Sequence, residues 1–196
     1  MKTKKRLIVS TMVVLVVVIL AAGLFVTQVG QPLRCSVSDA KIYTNSTPDS
    51  PYAGVTEDDY DQARQGLAPY IQLLSDEDYD FTDPADFSEV NVFYDVTNTS
   101  VLPINSIEFF VLDLGGGQGR FLYKSDAAVP QNADPGETIS IRLDVSMYVK
   151  GLSDDEVAKL VAGLRVELQY QQSFLGGRNQ DVSVPADLKF SEHVIS

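Results

Sequence analysis

Asp76, Asp78 and Asp80 alternate in a segment that also holds Glu77, Asp83 and Asp86. Such spacing invites a calcium reading, because a hard cation gathers several oxygens from one loop. Phe81 stands where an EF-hand needs glycine, and Phe87 where it needs the bidentate glutamate, so that loop is excluded. A solvated acidic segment is expected instead, packed by Tyr79, Phe81 and Phe87 with its acids turned outward. No metal ligand and no cofactor is assigned. The remaining chemistry is sparse. His193 is the one histidine, Cys35 the one cysteine, and tryptophan is absent. Histidine-based catalysis and multi-cysteine or multi-histidine metal sites therefore have almost no material. A lone cysteine allows no internal disulfide; Cys35 is read as an idle thiol, with an intermolecular bridge as the alternative.

Two further motifs have bland readings. Gly115-Gly116-Gly117-Gln118-Gly119 resembles a phosphate-binding loop only in its glycines, since no helix and no Lys-Ser/Thr pair follow. It reads as the loop of a hairpin joining 107–114 to 120–124. Asn45-Ser46-Thr47 and Asn98-Thr99-Ser100 fit the glycosylation pattern, which arises by chance at this length and carries little weight. With no catalytic set evident, the chain is expected not to be an enzyme.

The element that positions everything else lies at the start. Leu7 to Val26 is aliphatic except for Ser10, Thr11 and Gly23. Twenty such residues match a hydrocarbon core of about 30 Å. Lys2, Lys4, Lys5 and Arg6 precede the run, and no acid occurs before Asp39. The expectation is a cytoplasmic tail at 1–6, a transmembrane helix at 7–27, a juxtamembrane tether at 28–36 and an extracytoplasmic domain at 37–196. A signal peptide cleaved after Ala21-Ala22-Gly23 is the alternative, disfavoured because the apolar run continues through Leu24, Phe25 and Val26. Cys35 follows Pro32-Leu33-Arg34, unlike the small residues a lipid-acceptor cysteine needs.

Beyond the anchor, 11 basic residues face all 27 acidic ones. That surface repels nucleic acid and anionic lipid headgroups. The domain splits into a helical and acidic segment at 56–87 and a β core at 88–196. Thr56 with Glu57, Asp58 and Asp59 starts a helix, and Pro69 divides the run to Leu74 into two short helices. A first strand is expected over 37–44. Strict alternation follows in Val90–Val96, Ile139–Val145 and Leu164–Tyr170, the pattern of antiparallel strands with one face in the core. Ile107–Leu114 is apolar on both faces and belongs at the centre of a sheet. Ser153-Asp154-Asp155-Glu156 is a capping box opening a helix with Val157, Leu160, Val161 and Leu164 on one stripe. Gly176-Gly177 reads as a turn, 181–184 as a strand, and 188–194 as a frayed end.

Val96-Thr97-Asn98-Thr99-Ser100, Phe110-Val111-Leu112-Asp113 and Pro135-Gly136-Glu137 together resemble the bacterial Ig-like modules of the FxLYD type on membrane-anchored exported proteins. The resemblance spans about 90–170, lacks the family's tyrosine, and adds the helix at 153–163. It implies an Ig-like sandwich and carries over no functional residue. The expected fold is thus mainly β with added helices (α+β), an antiparallel sandwich behind one transmembrane helix. The expected role is binding or scaffolding, with the lipid bilayer and an envelope protein or cell-wall component as partners and no nucleic acid. A hydrolase using two carboxylates and a calcium-stabilised adhesive module are the alternatives.

Overall fold

The computed structural model describes residues 11–23, 30–46, 55–68, 71–73, 78–113, 120–124, 130–172 and 176–195. Residues 11–23 form helix α1 with exposed side chains. Among the described residues no helix is long and apolar enough to cross a membrane. The ends of the expected span, 7–10 and 24–27, lie outside them.

Among the described residues ten strands follow: β1 (Leu33–Thr44), β2 (Ile71–Leu73), β3 (Phe87–Asn98), β4 (Ile104–Asp113), β5 (Phe121–Lys124), β6 (Gln131–Ala133), β7 (Thr138–Tyr148), β8 (Arg165–Gln172), β9 (Gly176–Ser183) and β10 (Glu192–Ile195). They form a six-stranded sheet, β10-β1-β3-β7-β5-β2, and a four-stranded sheet, β6-β4-β8-β9. Pairing is antiparallel except for β10, which lies parallel on β1. The inward residues of both sheets fill one core. Val90, Val92, Tyr94 and Val96 face Ile107, Phe109, Val111, Val166 and Leu168, each at most 8% exposed. The chain is therefore a mainly β, two-sheet sandwich with added helices.

Alternation put these side chains on the right faces because a strand's period is two. β4 breaks parity, since Ile104 and Ile107 both point inward. A bulge between them, with Ser106 at φ 52°, supplies the extra residue. β4 does lie inside its sheet, between β6 and β8. Its second apolar face is covered only in part, with Phe110 half-buried and Leu112 41% exposed.

Five expectations need correction. β1 starts at Leu33, so residues 33–36 pair with β3 instead of forming tether, and the sandwich is not confined to 88–196. The first helix, α2 (Glu57–Arg64), starts after Thr56 as expected, with Asp59 closing a capping box, but Ile71–Leu73 is a strand on β5, not a second helix. The segment 107–124 is no hairpin: β4 and β5 belong to different sheets, because β6 and β8 occupy both edges of β4. Its glycine loop lies outside the described residues. Gly176 and Gly177 open β9 as strand residues paired with Gln172 and Gln171. The tail folds back as β10, with Ser191 N–H on the Ala40 carbonyl at 2.8 Å.

Helix α3 (Asp154–Ala162) links β7 to β8 across one end of the sandwich. The Ser153 N–H and hydroxyl both donate to Glu156 Oε2 at 2.8 Å, and Val157, Val161 and Leu164 are buried. The Ser153 bonds hold the Glu156 carboxyl below its ordinary range.

Candidate functional site

At the α3 end, four separate stretches converge on a cleft of about 280 Å³. Thr44 ends β1, Ser88 lies near the start of β3, Asp154 opens α3, and His193 sits on β10. Local chemistry sets each of them in place. Pro84–Asp86 is a single 3-10 turn whose Ala85 N–H is held by Asp83 Oδ1 at 3.0 Å, and it delivers the chain into β3. The turn from β7 into α3 passes through Gly151 at φ +75°, a conformation that favours glycine. Lys41 Nζ and Glu192 Oε2, 3.0 Å apart, stand opposite each other where β10 pairs with β1.

The polar wall of the cleft is a continuous hydrogen-bonded chain. Ser88 Oγ and Thr44 Oγ1 are 2.7 Å apart, Thr44 Oγ1 and His193 Nε2 3.0 Å, and His193 Nδ1 and Asp154 Oδ2 3.0 Å. Across the cleft Lys150 Nζ donates to Asp86 Oδ2 at 2.6 Å, which holds the lysine pKa above its ordinary value. Ile42, Val149, Leu152, Val157 and Ile195 supply apolar lining. An apolar seat with a few convergent polar groups is the usual form of a small-ligand site. Two wider grooves, beside Cys35 and on the outer face of the four-stranded sheet, lack an imidazole.

The other candidate residues scatter. Asp78 pairs with Arg64 at 2.8 Å, and Asp80 accepts from the Thr82 N–H at 3.0 Å. Asp83 caps the 3-10 turn, and Asp86 turns inward to Lys150. These carboxylates diverge, and among the described residues no three metal-ligating side chains gather. Asp76 and Glu77 lie outside the described residues. The rings between the acids do pack: Phe81 stacks on Phe87 at 4.5 Å, and Tyr79 meets Tyr60 and Tyr148. Cys35 is half-buried, and burial pushes its thiol pKa up to about 11, away from reactivity.

Both sequon asparagines are buried. Asn98 donates its amide to the Leu102 and Ala133 carbonyls at 2.9 Å, and its Oδ1 accepts from the Ser100 N–H and hydroxyl. The Asn98 carbonyl in turn accepts from Gly136, within the Pro135-Gly136 turn.

Sequence reasoning missed Thr44, Ser88 and Asp154 because they are far apart in the chain and share no local spacing with His193. The solitary histidine was the available signal, and it pointed to poverty of chemistry rather than to a site.

Comparison with protein-family models and with curated proteins finds no match. Among solved structures, the chain is similar to a lipoprotein candidate, ycdA, of Bacillus subtilis, at 12% identity and TM-score 0.35, covering 79% of this chain. It spans about 37% of that protein's length. It is also similar to an uncharacterised β-sandwich protein of Clostridium difficile, at 12% identity and TM-score 0.27, over 79% of this chain and 88% of the other. A third likeness, to a protein of Archaeoglobus fulgidus, has 12% identity and TM-score 0.26 over 59% and 95% of the two chains. Likeness at this level adds nothing to the strand order already described.

Proposed function

We propose that the chain is a single-pass, membrane-anchored extracytoplasmic binding module with an Ig-like sandwich, and that the cleft at the α3 end seats a small component of the cell envelope. The observation that carries the binding role is the cleft itself, with apolar lining and an ordered hydroxyl–imidazole–carboxylate wall. Membrane attachment rests on Leu7–Val26 behind Lys2, Lys4, Lys5 and Arg6. The Ig-like reading is supported by contact between two parts of the resemblance: Asn98 and the Pro135-Gly136-Glu137 turn hold each other through backbone bonds of 2.8 and 2.9 Å.

Protease added to protoplasts is expected to remove the domain after about residue 28 and leave a membrane-embedded stub; a soluble mature chain starting near Leu24 would contradict anchoring. For the cleft, small envelope fragments are screened by melting of the full chain in detergent, since a ligand that binds the native state raises Tm. A hit is expected to lose its shift in Ala85→Phe, which adds bulk to the cleft's lining. A shift unchanged in that variant places binding elsewhere.

A further inference from the structure

We propose that Thr44, His193 and Asp154 form a nucleophile, base and orienter that hydrolyse small acyl esters in this cleft, an inference that rests on the cleft being a ligand seat. Hydrogen-bond direction carries it. A carboxylate only accepts, so His193 Nδ1 carries the proton toward Asp154 at 3.0 Å. Nε2 of the neutral ring is then an acceptor, and the hydroxyl 3.0 Å away, Thr44 Oγ1, donates to it. Thr44 Oγ1 in turn accepts from Ser88 Oγ at 2.7 Å, and Ser88 is only 1% exposed. Each proton in the chain is thus aimed so that removing one from Thr44 delivers it to imidazole, while Ser88 offsets the charge left on oxygen. A hydroxyl against a base that a third group orients is the geometry of an activated nucleophile.

All four residues line the cleft. Lys150 is the cation lining it. Its ammonium carries three donors, and the bond to Asp86 uses one, so it can offset negative charge on a carbonyl oxygen. A volume of about 280 Å³ with apolar lining suits a short acyl group on a small alcohol. In the first step Thr44 Oγ1 bonds to the acyl carbon and its proton passes to His193 Nε2. The ester C–O bond then breaks, and the leaving alkoxide takes that proton. Water next attacks the acyl-threonine, its proton passes by the same imidazole to Thr44 Oγ1, and the carboxylic acid leaves. The step needs water alone as co-reactant.

The same bonds would also serve merely to fasten β10, so the test separates catalysis from fastening. The full chain in detergent is assayed with 4-nitrophenyl acetate, alongside Thr44→Val, Thr44→Ser and His193→Gln variants whose circular dichroism melts are matched to the parent. Expected are a loss of about a hundredfold in Thr44→Val and His193→Gln, retained turnover in Thr44→Ser, and an acetyl adduct on Thr44 in acid-quenched protein. Hydrolysis no faster than buffer, or equal in all four proteins, overturns the proposal. Binding of the uncleavable ketone 4-nitroacetophenone distinguishes the two readings. If the ketone binds in an Ala85-dependent way and the ester survives, the catalytic proposal falls while the seat stands; if neither binds nor reacts, both fall.

Discussion

Two apolar clusters among the described residues are built by different rules. The main core, between the sheets, is aliphatic and set by alternation, with Val90, Val92, Val96, Val145 and Leu168 at 0% exposure. The smaller cluster is aromatic and lies where Phe87 and Tyr148 pair across β3 and β7. Val55, Tyr60, Tyr79, Phe81 and Leu73 gather on those two rings. It comes from short segments without a period, interleaved with carboxylates that point elsewhere. Alternation makes a core that every rung of the sheet reinforces. Rings on a sheet's outer face make a local patch, held by a few large contacts worth about 0.5–1.5 kcal/mol per pair beyond the area they bury.

The sharpest way to break this comparison is truncation. Ile141→Ala and Leu168→Ala are expected to lower stability by about 2–5 kcal/mol in chemical denaturation, because both leave cavities between the sheets. Their outward neighbours Arg142 and Gln169 are expected to tolerate alanine within about 0.5 kcal/mol. Equal costs would mean that alternation does not mark the core. Phe81→Ala comes next, with an expected cost of about 1–2 kcal/mol and no change in the near-native β signal. A loss as large as that of Leu168→Ala would make the two clusters one cooperative unit.

Acid titration separates the regions more gently. The folded-state pKa of Glu156 is depressed by its Ser153 bonds, and that of Asp80 by Thr82. Each contribution is therefore present above the ordinary carboxylate range and lost as pH falls through the lower folded value. Glu156→Ala is expected to lower Tm at pH 7 and to shrink the drop in Tm between pH 5 and the acid limit; an unchanged acid limb would remove the cap from the account. The smallest effect expected is none. Millimolar calcium and EDTA should leave Tm unchanged, since Asp78, Asp80, Asp83 and Asp86 each turn to a different partner. A rise of several degrees that vanishes in an Asp78→Asn/Asp80→Asn double mutant would restore the calcium reading.

What was legible in the sequence was what a local period reports. Val92, Ile141 and Val166 revealed their faces, and Ser153 with Glu156 revealed a helix start, because those signals need only near neighbours. Partnership was not legible. Consecutive strands usually pair, so 107–114 and 120–124 read as a hairpin, yet both edges of β4 are occupied by β6 and β8. Pro69 was expected to open a second helix, yet α2 already ends at Arg64, with Gly66 at φ 71° just beyond it, and Ile71–Leu73 extends a sheet edge. His193 looked idle because its partners stand 39 and 149 residues away. Contacts of that separation are created by topology, and no spacing rule encodes them.

The parallel seating of β10 on β1 also fixes how the domain would bear mechanical load. Tension between the chain entering β1 at Leu33 and the chain leaving β10 at Ile195 pulls one strand backward and the other forward along a shared axis. The four paired positions from Lys41–Glu192 to Thr44–Ile195 are then loaded in shear, together instead of one after another. Against a fixed N-terminal side, a tug on the far end meets this clamp before it reaches the sandwich core. Its rungs flank the cleft, so force that slides β10 would carry His193 away from Thr44.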